Sequence, residues 1–375
     1  MQHRLMIDNI REAAGTIDPV FRNTPQYRAD SLSRSLGTKI VVKVETANPI
    51  RSFKGRGAEY LASKISRGTK LITASAGNFG QAMAYTCSRR EIALTVYASV
   101  NANPFKLERM QTLGATVVLH GEDFDEAKME AKRVAHATGV RMVEDGFDAE
   151  TGEGAGTIGM ELSDWNGQLE AVLLPLGNGA LTCGVGLYLK HVRPEIRVVA
   201  IQSVGAPAML ESWRKKEVVS FDTISTIADG IGVRIPIPEC VRDMEGIVDE
   251  GILVTDGSLI EAMRLAHEHL GIVLEPSGAA GLAAILEQRD RFHGQSVAVV
   301  LCGGNLTAEQ MKLWLSQTRS GGFQPPTKKR RLQTAACLPS CPELIVLVLE
   351  QNIESRERSV AAGDVLLEVE LVGIA

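Results

Sequence analysis

Short apolar runs alternate with amphipathic stretches through most of the chain. The runs at 39–45, 71–75, 93–98, 116–120, 141–144, 171–175, 198–202 and 296–302 have the length of strands. Several are apolar without interruption, as in strands buried on both faces of a parallel sheet. Between them, apolar positions recur at helical spacing, for example over 123–137 and 258–270. The second of these opens with Ser258 followed by Glu261, a capping-box pattern. Strand–helix alternation of this kind predicts a doubly wound α/β architecture.

The pattern changes near Ser320. The stretch from Ser320 to Arg331 holds two glycines, two prolines and the basic run Lys328-Lys-Arg-Arg331, and reads as a linker. Beyond it, 343–350 and 364–372 have the pattern of two strands. The basic run could be a nuclear-import or nucleic-acid signal, but a charge run in a linker is more simply a solvated one.

Composition narrows the function classes. The chain has 375 residues, enough for two domains, and its 45% hydrophobic content supports a folded core. A net charge of -5 gives no electrostatic reason to expect nucleic acid or an anionic membrane as partner. No apolar run reaches transmembrane length, and the first residues lack a signal-peptide pattern. The six cysteines, at 87, 183, 240, 302, 337 and 341, are scattered. They read as reduced thiols of a cytoplasmic protein. Cys337 and Cys341 have no nearby partner to complete a zinc site.

Four segments carry candidate chemistry. The first is Asn48-Pro-Ile-Arg-Ser-Phe-Lys-Gly-Arg-Gly-Ala58. Pro49 is expected to close a strand and Lys54 to open a helix, where its amine is a candidate nucleophile for an aldehyde cofactor. A surface lysine in a Gly/Arg-rich turn is the plain alternative. The second is Thr73-Ala-Ser-Ala-Gly-Asn-Phe-Gly-Gln-Ala82, a strand-to-helix junction. Its backbone N–H groups would point at an anion such as a substrate carboxylate, although ordinary N-cap turns look similar.

The third, Leu174-Pro-Leu-Gly-Asn-Gly-Ala-Leu-Thr-Cys-Gly184, lets the backbone approach a phosphate. It matches neither the dinucleotide fingerprint nor a P-loop. The fourth, Val299-Val-Leu-Cys-Gly-Gly-Asn305, ends a buried strand with Cys302 at the sheet's carboxyl edge. Taken by residue type alone, that cysteine is a small buried hydrophobe.

Together, and in this order, the four segments resemble the fold type II pyridoxal-phosphate (PLP) enzymes, tryptophan synthase β-like. Within these they are most similar to the serine/threonine dehydratase (ammonia-lyase) branch, over about residues 15–315. The resemblance implies two doubly wound α/β domains with the cofactor between them. Residues 1–69 and 149–319 would form a large PLP-binding domain and 70–148 a small substrate-loop domain. Residues 320–342 would be a linker and 343–375 an unassigned tail.

It also implies roles. Lys54 would carry PLP as a Schiff base and act as general acid and base, with Phe53 packed beside the cofactor. Asn78 would bond the ring hydroxyl. Gly177, Asn178, Gly179, Ala180 and Leu181 would hold the phosphate, and Cys302 would face the ring nitrogen. Ser75, Ala76, Gly77, Asn78 and Phe79 would grip the substrate carboxylate. Glu275 matches a family glutamate near the ring.

Three departures from the family pattern refine this. The phosphate loop reads Gly-Asn-Gly-Ala-Leu in place of a glycine run, which leaves backbone donors in place. Phe79 stands where a histidine is usual. Ala76 stands where serine racemases carry a second serine as opposite-face base, and Gln202 and Ala208 stand at those racemases' metal ligands, so no metal is expected.

The implied reaction is α,β-elimination of a 3-hydroxy amino acid, such as threonine or serine, to a 2-oxo acid and ammonia. Alternatives are β/γ-replacement, as in threonine synthases and sulfhydrylases, and a PLP-binding protein without turnover. The expected partner is a small amino acid, with no nucleic acid or membrane, and the expected assembly is a homodimer.

Overall fold

Among the described residues, ten strands form two sheets. The structure, a computed structural model, describes residues 3–316. The linker, the two later strand-like stretches, the basic run, Cys337 and Cys341 lie outside the described residues. The strands are β1 (Gln26–Arg28), β2 (Lys39–Val44), β3 (Lys70–Ala74), β4 (Ala93–Ala98), β5 (Thr116–Leu119), β6 (Arg141–Val143), β7 (Ala171–Pro175), β8 (Arg197–Ser203), β9 (Glu250–Val254) and β10 (Ser296–Leu301).

The larger sheet has the order β1-β2-β10-β7-β8-β9 and the smaller β5-β4-β3-β6. Every pairing is parallel except β1 with β2. The α/β class with parallel sheets read from the sequence is the class observed.

Uninterrupted apolar strands arise because both faces of the large sheet are covered. Ile40, Val42, Leu173, Val199, Val297 and Val299 enter one apolar core. Their neighbours Val41, Val172, Val198, Ala298 and Val300 enter another on the opposite face. Successive strand residues thus alternate between two buried layers. A third core lies on the small sheet, where Leu71, Leu94 and Val96 meet the helices Lys54–Ser63 and Asn78–Arg89.

The eight strands read from the sequence are present within one or two residues. β1 and β9 were not expected. β1 has three residues, and β9 opens with Glu250-Gly251 and is only partly buried, so neither shows a continuous apolar run. The helix expected over 123–137 spans Phe124–Thr138; the Asp123 side chain accepts from Glu126 N at its start and Gly139, at φ +69°, ends it.

The helix expected from Ser258 begins earlier, at Asp256–Leu270. Its cap is Thr255, whose hydroxyl accepts from Ser258 N at 3.3 Å, so Ser258 lies in the first turn and makes no capping box with Glu261. A capping box does form at Thr307 and Gln310. Pro49 does not close β2, which ends at Val44; it lies in a turn that Asn48 braces by donating to Glu45 O and Ser52 O.

Candidate active site

The carboxyl ends of β2, β3, β6, β7 and β10 bring the four sequence segments together, as open parallel sheets do with their ligand sites. Lys54 is the first residue of its helix. Two features fix that helix. Gly57 packs against the helix Ala149–Ser163 so closely that a Cβ there would lie 2.5 Å from Thr151 O.

The second is Arg56, which is wholly buried. It donates to both oxygens of Glu45 (2.8 and 2.9 Å), to both oxygens of Glu161 (2.6 and 2.9 Å) and to Thr157 and Thr24. Lys43 pairs with Glu161 at 2.5 Å. Glu45 follows β2, so this network ties the start of the Lys54 helix to the large sheet. The Arg in Lys-x-Arg-Gly-Ala is therefore an anchor for the lysine.

Lys54 Nζ donates to Asp145 Oδ2 at 2.5 Å and lies 4.6 Å from the centre of the Phe53 ring. Phe53 N donates to Cys302 O at 3.0 Å, which docks the lysine beside the end of β10. Asp145 sits between β6 and the helix Ala149–Ser163. Its carbonyl accepts from Asn178 Nδ2 at 3.4 Å, so one residue links the lysine to the loop 177–181.

In that loop Gly179 adopts φ +93°, the left-handed region, and the helix Ala180–Val192 starts immediately after it. A Cβ at Gly177 would meet Gly230 O at 2.7 Å. The first-turn N–H groups of the helix have no acceptor within it. Ala180 and Leu181 are buried, and these two contribute backbone to the loop.

At the second junction Ser75 Oγ accepts from Gly77 N (3.2 Å) and Gly80 N (2.9 Å), which closes the loop into a tight turn. Ala76 and Gly77 are partly exposed there. Asn78, the first helical residue, donates to Glu275 Oε1 at 2.6 Å and accepts from Asn305 Nδ2 at 2.8 Å. Phe79 is buried in the small-sheet core with Ala82, Met83 and Met110. Its ring is thus part of that core, and its backbone is what the loop presents.

Cys302 is buried at the end of β10, with Sγ 3.7 Å from Ser277 O. Burial, reinforced by Glu275, pushes the thiol well above its ordinary range, so it is neutral. Glu275 also accepts from Asn305 N at 3.2 Å. Burial pushes its carboxyl up to about 7, against the pull of Lys106.

The family of pyridoxal-phosphate dependent enzymes matches residues 17–303. The chain belongs to that family. It is 32% identical over 305 residues to L-threonine ammonia-lyase of Thermotoga maritima, covering 80% of this chain and 76% of that protein. It is 32% identical over 314 residues to L-threonine dehydratase catabolic TdcB of Staphylococcus aureus, covering 81% and 90%. Among solved structures it resembles maize serine racemase, with 28% identity and a TM-score of 0.76 over 83% of this chain and 96% of that one. These place this PLP-dependent enzyme in the serine/threonine dehydratase branch of fold type II.

The residues present fit PLP. A primary amine, a left-handed glycine before a 13-residue helix and a neutral thiol are gathered in one place. Two buried polar atoms there, Asp145 Oδ1 and Ser277 Oγ, have no partner. Ser277 lies beside Gly230, which in turn touches Gly177, so its hydroxyl is next to the loop suited to phosphate.

Gln202 donates to Ile231 O and accepts from Leu210 N, and Ala208 is buried. No cluster of His, Cys, Asp or Glu that could hold a metal occurs among the described residues. No helix among them is long and apolar enough to cross a membrane.

Asp145, Ser277 and Asn305 were not singled out from the sequence. Each directly follows or lies near a strand end or turn: Asp145 is two residues past β6 and Asn305 four past β10. Polar residues at the carboxyl ends of every parallel strand were the available signal.

Proposed function

We propose that this PLP-dependent enzyme is an ammonia-lyase that converts a 3-hydroxy amino acid to a 2-oxo acid and ammonia. Lys54 is both the amine that carries the cofactor and the group that moves the α-proton. The observation that carries the reading is the Lys54 amine held at 2.5 Å from Asp145, beside a buried neutral thiol.

PLP supplies the electron sink for the bond broken at the α-carbon. The chain supplies the rest. Gly177, Asn178, Gly179, Ala180 and Leu181 offer N–H groups and a helix start to the phosphate. Phe53 lines the lysine's side. Asn78, braced by Glu275 and Asn305, would bond the ring hydroxyl. The turn Ser75–Phe79 binds the substrate carboxylate through backbone donors, with Ser75 holding its shape.

Lys54 Nζ takes the α-proton, and the Asp145 carboxylate keeps that amine oriented. Cys302, as a neutral thiol, is too weak an acid to transfer its proton to a ring nitrogen. A neutral partner of that kind would favour elimination over racemisation. The buried free cysteines at 87, 183, 240 and 302 support a reducing, cytoplasmic setting. A homodimer and the division into a large (1–69, 149–319) and a small (70–148) domain belong to the same reading.

The test is release of 2-oxo acid from a panel of 3-hydroxy amino acids: serine, threonine, 3-hydroxyaspartate and an aryl-serine. Steady release with stoichiometric ammonia is expected for at least one. New amino acids formed only when thiols or amines are added would mean replacement chemistry instead.

A further inference from the structure

Two arginines border this site without an acid to answer them. Arg109, on the helix Pro104–Thr112, is half-buried and donates from Nη1 to Asn305 Oδ1 at 2.6 Å. The same Asn305 side chain donates to Asn78 Oδ1 and to Ile50 O, both at 2.8 Å. One amide therefore separates Arg109 from the loop that binds the substrate carboxylate.

Arg51 follows Ile50, and its carbonyl accepts from Gly304 N at 3.0 Å, so its backbone lies one residue from Asn305 while Arg109 bonds the Asn305 side chain. Among the described residues neither has a carboxylate within salt-bridge distance, although Lys106, one turn before Arg109, pairs with Asp229. Burial and the like charge of Arg51 hold the Arg109 guanidinium below its usual range. Arg51 itself adopts φ +51°, in the left-handed region where a glycine would be unstrained. Arg51 is exposed and its like charge acts on Arg109, and an anion bound beside them would relieve that repulsion.

We propose that Arg109 and Arg51 bind a second carboxylate, carried on the β-carbon of the substrate, so that the preferred substrate is a 3-hydroxy dicarboxylic amino acid of the 3-hydroxyaspartate type. The guanidinium fork matches a carboxylate in two parallel hydrogen bonds. The short path from Arg109 through Asn305 to Asn78 suits a substrate whose two acid groups are a few bonds apart. Elimination on such a compound stays balanced: the α-proton and β-hydroxyl leave as water, water returns at hydrolysis, and the products are a 2-oxo dicarboxylic acid and ammonia. No oxidant or further reactant is needed. The proposal rests on the elimination reading above.

The experiment has a binding arm and a turnover arm, both with holoenzyme. Calorimetric titration compares succinate, an unreactive dicarboxylate, with butyrate. Succinate is expected to bind about tenfold or more tightly, as a charge-assisted bidentate contact implies. Arg109→Gln and Arg51→Gly should each reduce that preference, and Arg109→Lys should restore part of it.

In the turnover arm, kcat/KM for 3-hydroxyaspartate should exceed that for serine, and Arg109→Gln should lower that ratio mainly through KM. Equal binding of succinate and butyrate, or a ratio unchanged in Arg109→Gln, overturns the proposal while leaving elimination from serine or threonine intact. A preference for O-phosphoserine over 3-hydroxyaspartate overturns the carboxylate assignment in favour of a phosphate ester. Succinate preference with no 2-oxo acid from any substrate supports the anion site and rejects the elimination reading.

Discussion

Lys54 Nζ donates to Asp145 Oδ2 at 2.5 Å, while the other oxygen of that carboxylate is buried without a partner. The two residues are 91 positions apart and come from different strand ends. A carboxylate so placed orients the amine and keeps a second acceptor free within the site. Asp145→Asn keeps the shape and removes the charge. A hydrogen bond to a charged group contributes about 1.5–3 kcal/mol, so turnover should fall roughly tenfold to a hundredfold. Cofactor content, read from the visible spectrum, should be retained. Turnover equal to wild type would remove Asp145 from the proton path.

Lys54→Ala tests the central assignment. The variant should lose the visible absorption of lysine-bound PLP and all measurable 2-oxo acid release. Its far-ultraviolet circular dichroism and melting temperature should remain close to wild type, because the side chain anchors nothing in the core. Normal activity in this variant would reject the role of Lys54.

Glu275 gives a pH dependence with a definite sign. Its carboxyl ordinarily titrates near 4.5 and in the fold is pushed up to about 7, chiefly by burial, with Lys106 opposing and Asp229 adding to the shift. Between those values the folded chain holds a proton that the unfolded chain has lost. The associated stability is fully present below 4.5 and is lost as pH rises through 7. The melting temperature of cofactor-free protein should therefore decline from about pH 5 to about pH 8, and Glu275→Gln should flatten that decline. An identical slope in the variant would show that another group carries it.

Much of the fold was legible because the physics is local. Val41 and Ile40 are adjacent, face opposite cores and are both buried, so the strand reads as an apolar run. Gly177 to Leu181 sits at a strand–helix junction that small residues mark in any sequence. What stayed hidden depends on distant pairing. β9 lies at a sheet edge and carries Gly251, so nothing in its own pattern separates it from a loop. The role of Arg56 is invisible until Glu45 and Glu161 meet it, and Asn305 matters only because Asn78, Glu275 and Arg109 converge on it. Phe79, a position the family pattern assigns to the substrate loop, turns its ring into the core because Met83 and Met110 pack there.

Arg56→Met should be strongly destabilising. It would leave Glu45 buried with Thr24 as a donor, and the half-buried Glu161 with Lys43 and Asn23 N as partners. Breaking one side of a buried ion network costs about 3–5 kcal/mol. Chemical denaturation should show a loss of that size, and PLP should be released more readily because the Lys54 helix loses its tie to β2. A loss below about 1 kcal/mol would mean that the network is replaceable by apolar packing.

Racemisation should be minor beside elimination, although the chain resembles maize serine racemase in fold. Reprotonation on the opposite face needs a second acid or base within hydrogen-bond reach of the α-carbon. In the proposed mechanism Lys54 would supply one face. Ala76 has no exchangeable proton, and the neighbouring Ser75 hydroxyl already accepts from Gly77 N and Gly80 N, which fixes it to the loop backbone. The buried Cys302 thiol, if it faces the ring nitrogen as proposed, would add to the bias because it is too weak an acid to protonate it. One enantiomer of an active substrate should therefore yield 2-oxo acid with little of its mirror image, as read by chiral chromatography. Ala76→Ser places a hydroxyl in a partly exposed position on the same loop and should raise racemisation without changing cofactor content. Comparable racemisation in the wild type would identify another group as the second base, with Asp145 and its unpartnered oxygen the first to be replaced. No change in Ala76→Ser would mean that this loop does not approach the α-carbon.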